Sequence, residues 1–384
     1  MKVEFFRHNI GPKEIRRVNG VLRSVFLTTG EVVREFEDDF AAYLGCKHTV
    51  GVTSCTAGLH LSLQAYGVGP GDEVITTPMS FIATANSILH AGAKPVFVDV
   101  EPDTGNINAD LIEKAVTPRT KAIMPVHLYG QMCDMKKIKE IADRHGLVII
   151  EDAAHCVEGL RDGIKPGQLS HAACFSFYAT KNLASGEGGA IVTNDPSVAD
   201  KLRVLRLHGM TKGASDRYHG RYRHWDMELL GWKYNMDNIH AALLVDQLKL
   251  LDRRLKRRQK IARTYEKAFK EMGIGFPKAL RVMTLRGGRH ARHLFTIWAP
   301  PAQRDGVLGA LQERGVGVAV NFRAMHLLKF YRELYSFKEG DFPVAETIGA
   351  STISIPLYPK LTDEEAQYVI ESVRAVMEGL RRSS

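Results

Sequence analysis

Ser176-Phe177-Tyr178-Ala179-Thr180-Lys181-Asn182 carries a lysine just past a short apolar run, 173–177. The glycine-rich Gly186-Glu187-Gly188-Gly189 follows it. Upstream, Leu147-Val148-Ile149-Ile150 runs into Glu151-Asp152-Ala153-Ala154-His155. Apolar runs this short suit buried strands better than helices. One of them closes on a carboxylate and the later one leads to an amine.

That order suggests a pyridoxal-phosphate site. Lys181 would carry the cofactor as an imine, and Asp152 would keep the pyridine nitrogen protonated. A lysine alone means little, because most lysines are solvated surface groups. The strand context on both residues is what separates this pair from that background.

Working outward, short apolar runs alternate with amphipathic segments. Strands are expected at 48–53, 74–77, 95–100, 122–126, 147–151, 173–177 and 190–193. Helical patterns fall between them at 58–66, 83–91, 109–115 and 135–145. Runs buried on both faces and separated by helices predict a three-layer α/β/α domain with a mostly parallel sheet, spanning 1–247. Ligands of such sheets lie beyond the carboxyl ends of the strands, where Asp152 and Lys181 would sit. After Gln247 the pattern changes. One long helix over 237–272 leads to a strand at 293–299, a helix at 305–314, strands at 317–320 and 352–355, and a last helix at 363–380. This predicts a smaller α+β domain, 248–384, with no flexible linker before it. Residues 209–232 are polar, aromatic and weakly periodic, and predict a long ordered loop beside a site.

The 384 residues are 45% hydrophobic and 25% charged, the profile of an ordinary globular protein. No apolar run approaches the ~20 residues of a membrane span. The opening Met1-Lys2-Val3-Glu4 lacks the apolar core of a signal peptide. The five cysteines show no Cys-x-x-Cys spacing, which predicts reduced thiols in a cytoplasmic protein and no metal site. The net charge of +9 suits an anionic partner such as a nucleotide diphosphate. The run Arg253-Arg254-Leu255-Lys256-Arg257-Arg258 reads as a solvated helix face. No aromatic residues interleave with it, which argues against nucleic acid.

Other residues join the pair. Val52-Thr53-Ser54-Cys55-Thr56-Ala57-Gly58 places hydroxyls and small residues where a strand turns into a helix. The first amides of a helix have no internal partner, so this segment could cradle a phosphate. A plain N-cap is the alternative. Phe81 follows another strand end and could stack on a pyridine ring or simply fill the core. His155 lies three residues after Asp152, and Ser176 five before Lys181; each could reach the cofactor or be a bonded core residue.

Over nearly its whole length the sequence resembles the DegT/DnrJ/EryC1/StrS sugar aminotransferases, within the fold-type I pyridoxal-phosphate enzymes. The resemblance rests on Thr56-Ala57-Gly58-Leu59-His60, Gly71-Asp72-Glu73-Val74-Ile75-Thr76 and Pro125-Val126-His127-Leu128-Tyr129-Gly130. It continues through the Asp152, Ser176, Lys181 and Gly186 motifs to Lys233-Tyr234-Asn235-Met236. It implies that Lys181 moves the proton, Asp152 pairs with the ring nitrogen, His155 bonds the ring hydroxyl and Phe81 stacks. It implies that Thr56, Ala57 and Ser176 bind the phosphate and that Asn235 reaches it from the neighbouring subunit of a homodimer. Family members with histidine at the lysine position are dehydratases, so Lys181 implies transamination. His155 departs from the glutamine of many members, and both can donate a hydrogen bond. Lys233-Tyr234-Asn235 and Asn321-Phe322-Arg323-Ala324-Met325-His326 look most like enzymes acting on UDP-linked 4-keto sugars, such as the UDP-4-amino-4-deoxy-arabinose aminotransferases. Lys233 and His326 would then touch the substrate, with glutamate as amino donor. The competing readings are another fold-type I transaminase or lyase, and a non-catalytic regulatory or nucleic-acid-binding protein.

Overall fold

The computed structural model describes residues 1–211, 224–275 and 288–383. Seven strands form one sheet: β1 (His48–Val52), β2 (Glu73–Thr76), β3 (Lys94–Phe97), β4 (Thr120–Ile123), β5 (Val148–Asp152), β6 (Ala172–Ser176) and β7 (Gly189–Thr193). Their order is β1-β7-β6-β5-β4-β2-β3. From β3 to β6 every pairing is parallel, and β7 alone runs antiparallel to both of its neighbours. The mostly parallel sheet expected from the apolar runs is present, and all seven expected strands lie in it.

β6 shows why the sheet is covered on both faces. Its side chains alternate, as a period of two requires. Ala173, Phe175 and the following Phe177 enter one core with Phe36 and Phe40 of helix Glu31–Leu44. Ala172 and Cys174 enter the opposite core with Leu59 and Leu63 of helix Cys55–Ala65. The Phe40 ring meets Phe175 and Phe177 edge-on, at 5.0 and 5.6 Å. A helix layer on each side of a sheet is the only way to keep such a strand dry.

The loop after β6 presents Lys181. Phe177 N–H donates to Gly188 O, Ser185 N–H to Phe177 O and Ala179 N–H to Gly186 O, so the loop returns on itself. Gly188 has φ of 142°, where a side chain is strained. A Cβ on Gly189 would lie 2.4 Å from the Ser54 carbonyl carbon, so only glycine lets β7 approach the start of helix Cys55–Ala65.

The second part of the chain builds around the antiparallel pair β8 (Phe295–Trp298) and β9 (Thr352–Ile355). Tyr265 and Phe269 of helix Leu251–Glu271 pack there with Phe295, Ile353 and residues of helix Asp363–Ser383. Val3, from the start of the chain, is buried in this same core and bridges Val316. Two expectations need correction. The single helix over 237–272 is two, Asn238–Leu248 and Leu251–Glu271, because a Leu250 N–H to Gln247 O turn breaks the α-helical ladder. The strand at 317–320 does not form: Gly317 bonds Val3 and Ala319 bonds Ser354, so the run is divided between two partners. The five cysteines are free. Among the described residues no helix is long and apolar enough to cross a membrane.

The aromatic cluster behind β6 gives a stability test. Phe40→Ala should lower unfolding stability by about 3–5 kcal/mol, the usual cost of emptying a phenylalanine site. Denaturant titration of parent and variant measures it. A loss below about 1 kcal/mol would show that Phe40 does not hold the layers together.

Candidate active site

A cavity of about 570 Å³ opens beyond the carboxyl ends of β5 and β6. It brings together Thr56, Phe81, Asp152, His155, Ser176 and Lys181, all of them candidates from the sequence. Its wall also draws on distant parts of the chain, with Arg7 lying over the Tyr358 ring and Phe5 and Phe322 lining it too.

Asp152 ends β5 and is buried. One carboxylate oxygen accepts from the Thr84 hydroxyl at 2.7 Å; the other accepts from Ala154 N–H at 3.1 Å and faces the Cys55 thiol at 3.9 Å. The carboxylate is thus held by donors on three segments. Lys181 is buried beside it. Burial pushes the lysine pKa down to about 8, against the opposing pull of Asp152 and Cys55. A lysine so placed gives up its proton far more readily than a surface lysine.

Behind Asp152 lies a buried pair, His127 Nε2–H donating to Glu151 at 2.5 Å. His127 Nδ1 accepts from Cys133 N–H and the other oxygen of Glu151 accepts from Gly167 N–H. The strand end carrying Asp152 is therefore locked by side chains as well as by the sheet. His155 Nδ1 accepts from Tyr129 N–H at 3.3 Å. Burial, with the Lys181 cation close by, holds this ring well below the usual histidine range. A neutral ring with Nδ1 accepting carries its hydrogen on Nε2.

At the start of helix Cys55–Ala65, Ser54 is the N-cap, and its hydroxyl accepts from Ala57 N–H at 3.0 Å. The cap reading is realised for Ala57, which does not line the cavity, while Thr56 does. Phe81 is 56% exposed, with its ring centroid 5.9 Å from that of Phe322. An open aromatic face, a buried lysine, a bonded carboxylate and a helix N-terminus in one cavity are the donor set that a phosphorylated pyridine aldehyde needs. The residues fit that group.

Other candidates lie apart. Lys233 and Asn235 bond each other, and Asn235 Nδ2 donates to Thr29 at 2.7 Å; neither lines the cavity of its own chain. His326 is fully buried, bonded to Glu346 at 2.9 Å and packed on Phe342. It is a core residue away from the cavity, which corrects the expected substrate contact. Of the loop expected at 209–232, residues 212–223 lie outside the described residues. The basic run is also corrected. Arg258 is 1% exposed and pairs with the fully buried Glu158, while Arg254 reaches Asn9 O. Sequence reasoning missed Arg258, Thr84, Asn182 and His293. Arg258 had a signal: it stands on the apolar stripe Leu251, Leu255, Ala262, Tyr265 and Phe269, where a charge must be buried and paired.

With this geometry in place, the family model described as "DegT/DnrJ/EryC1/StrS aminotransferase family" matches residues 8–374. The chain belongs to this family. It is 45% identical over 377 residues to the spore coat polysaccharide biosynthesis protein SpsC of Bacillus subtilis, covering 96% of each chain. It is similar to a putative sugar aminotransferase, Spr1654 of Streptococcus pneumoniae in its PMP form, at TM-score 0.92 and 31% identity, covering 98% of this chain and all of that one. It also resembles S. venezuelae DesV in complex with a ketimine intermediate, at TM-score 0.86 and 36% identity, covering 94% and 93%. The fold is that of fold-type I enzymes, the chain is a sugar-family aminotransferase, and its cofactor is pyridoxal phosphate.

The lowered lysine pKa carries a sign that can be measured. Between about 8 and its ordinary 10.5, the unfolded chain binds a proton at Lys181 that the folded chain does not. Stability therefore rises with pH across that window, and the burial penalty is full below it. In cofactor-free protein, Lys181→Met should be more stable than the parent at pH 7, with the difference shrinking towards pH 10.5. Denaturant unfolding at several pH values checks this, and a difference that stays flat would assign Lys181 an ordinary pKa.

Proposed function

We propose that this protein moves an amino group from an amino acid, glutamate in the leading case, to the keto carbon of a nucleotide-linked sugar, a UDP-4-keto sugar. The observation that carries the reading is Lys181, buried beside Asp152 in a cavity that Thr56, Phe81, His155 and Ser176 also line. The bound pyridine ring supplies an electron sink for the carbon that loses its proton. Asp152 would hold the ring nitrogen protonated. Lys181 would be the covalent anchor and then carry the proton between substrate carbon and cofactor carbon. His155 Nε2–H would donate to the ring hydroxyl, Phe81 would stack on the ring, and Thr56 and Ser176 would bind the phosphate; the Ala57 amide, expected there too, is taken by Ser54. The positive net charge favours a diphosphate-bearing substrate. The relative active in spore coat polysaccharide biosynthesis supports a sugar acceptor. We place the division of the chain near residue 247, so that the substrate enters between two units of a cytoplasmic enzyme.

A panel of UDP-, dTDP- and GDP-4-keto sugars with glutamate tests this, read by mass spectrometry of the products. The UDP sugar should be aminated. Borohydride should fix the cofactor on Lys181, and Lys181→Ala should show neither adduct there nor turnover. An adduct mapped to another lysine would sink the assignment. Conversion of the cofactor by glutamate with no sugar aminated would favour a different transaminase, and no cofactor absorbance at all would favour a non-catalytic protein.

The site is proposed to be shared across a homodimer. Asn235 lies outside its own cavity, as a residue serving the partner's phosphate would. Mixed dimers of Asn235→Ala with Lys181→Ala subunits decide the matter. In a shared arrangement one site carries both lesions and the other neither, so about half the per-dimer activity returns, by two-fold symmetry. No recovery, in mixed dimers verified by mass, would mean that Asn235 serves its own subunit.

A further inference from the structure

Asn182 follows Lys181 directly, and its amide is fixed by chemistry. Its Nδ2 donates to Glu158 Oε2 and to Ala291 O, both at 3.0 Å. Carboxylate and carbonyl oxygens only accept, so the amide cannot be turned over without losing both bonds. Its oxygen therefore faces His293 Nδ1 at 3.4 Å. An amide oxygen also only accepts, so His293 Nδ1 must carry a hydrogen. Burial, with His155, Lys181 and Arg258 nearby, holds the His293 ring well below the usual histidine range. A neutral imidazole has one ring hydrogen, which leaves Nε2 bare.

His155 is the reverse case, with Nδ1 accepting from Tyr129 and the hydrogen on Nε2. The two rings lie 4.4 Å apart between centroids, and both residues line the cavity. Neither Nε2 has a hydrogen-bond partner among the described residues. Two adjacent neutral histidines thus show the cavity opposite faces, one a donor and the other an acceptor. If His293 were only packing, either tautomer would serve and nothing would need to fix its amide partner. Here Glu158 is itself held by Arg258, so the order runs Arg258, Glu158, Asn182, His293.

We propose that His293 is a substrate-binding residue of this site, its bare Nε2 accepting a hydrogen bond from an N–H or O–H group of the bound substrate. The proposal rests on reading the cavity as the aminotransferase site. The donor group is either the ammonium of the amino acid or a hydroxyl of the sugar, and the two half-reactions tell them apart.

The first measurement needs no turnover. In the 15N–1H correlation spectrum of histidine side chains in the holoenzyme, with His293 assigned by its loss in His293→Phe, the hydrogen should sit on Nδ1. A hydrogen on Nε2 would overturn the proposal. The second measurement is single-turnover kinetics of His293→Phe, which keeps a flat ring against His155 but has no nitrogen. One half-reaction should slow by about tenfold or more, the effect of losing one hydrogen bond. His293→Gln, whose oxygen still accepts, should recover part of that loss. Slowing of the glutamate step identifies the ammonium as the donor; slowing of the sugar step identifies a hydroxyl. No slowing in either step, or equal slowing of both, would assign the ring to packing and reject the binding role. A parent enzyme that performs neither step would instead fail the functional reading, and the tautomer would still be read on its own.

Discussion

A buried amine and a buried carboxylate share one cavity, and much of the fold is arranged to keep them there. Lys181 alone would be driven far towards its neutral form by burial, and Asp152 alone would be a costly isolated charge. Together they moderate each other. Asp152 draws the lysine back up against burial, so that its pKa settles at about 8. That is close to neutrality, where an amine can both give and take a proton. The neighbouring residues serve this balance. Thr84 and the Ala154 amide hold Asp152 in place, and the His127–Glu151 pair locks the strand that carries it. Lys181 is held by a loop that closes on Gly186 and Gly188.

The sheet order explains why these residues meet. β5 and β6 are parallel neighbours, with Asp152 opposite Cys174. Both strands therefore end on the same edge, and whatever follows them meets there. β7 then returns antiparallel, which brings Gly188 beside Ser54 and sets the start of helix Cys55–Ala65 against the same edge. One reversal in an otherwise parallel sheet adds a helix N-terminus to the carboxylate and the amine.

How much of this the sequence discloses depends on the range of each interaction. The seven strands were legible because each holds a short apolar or β-branched run, and so were Asp152 and Lys181, because each follows such a run. Thr84 was not legible, since its bond to Asp152 spans 68 positions and nothing local marks it. The His293 tautomer depends on contacts of Asn182 across 24, 109 and 111 positions, which no pattern encodes. The break at Leu250 was missed for the opposite reason. The apolar period continues smoothly through it, with no glycine or proline to mark the turn. His326 misled because a motif fixes a residue's place in the chain but not the direction of its side chain. In the fold it turns to Glu346 and the aromatic core.

Arg258 and Glu158 pose the remaining question of energetics. A fully buried ion pair is a poor source of stability, because removing two charges from water costs several kcal/mol per ion. An apolar pair of equal volume would serve a core as well. What an apolar pair could not do is orient an amide. Glu158 uses one oxygen for Arg258 and the other for Asn182. Arg258 stands on helix Leu251–Glu271, whereas Glu158 and Asn182 follow β5 and β6. The pair therefore fastens the second part of the chain to the residue next to Lys181. The alignment of the cavity's two walls then depends on a directional contact, whereas apolar packing alone would allow them to slide.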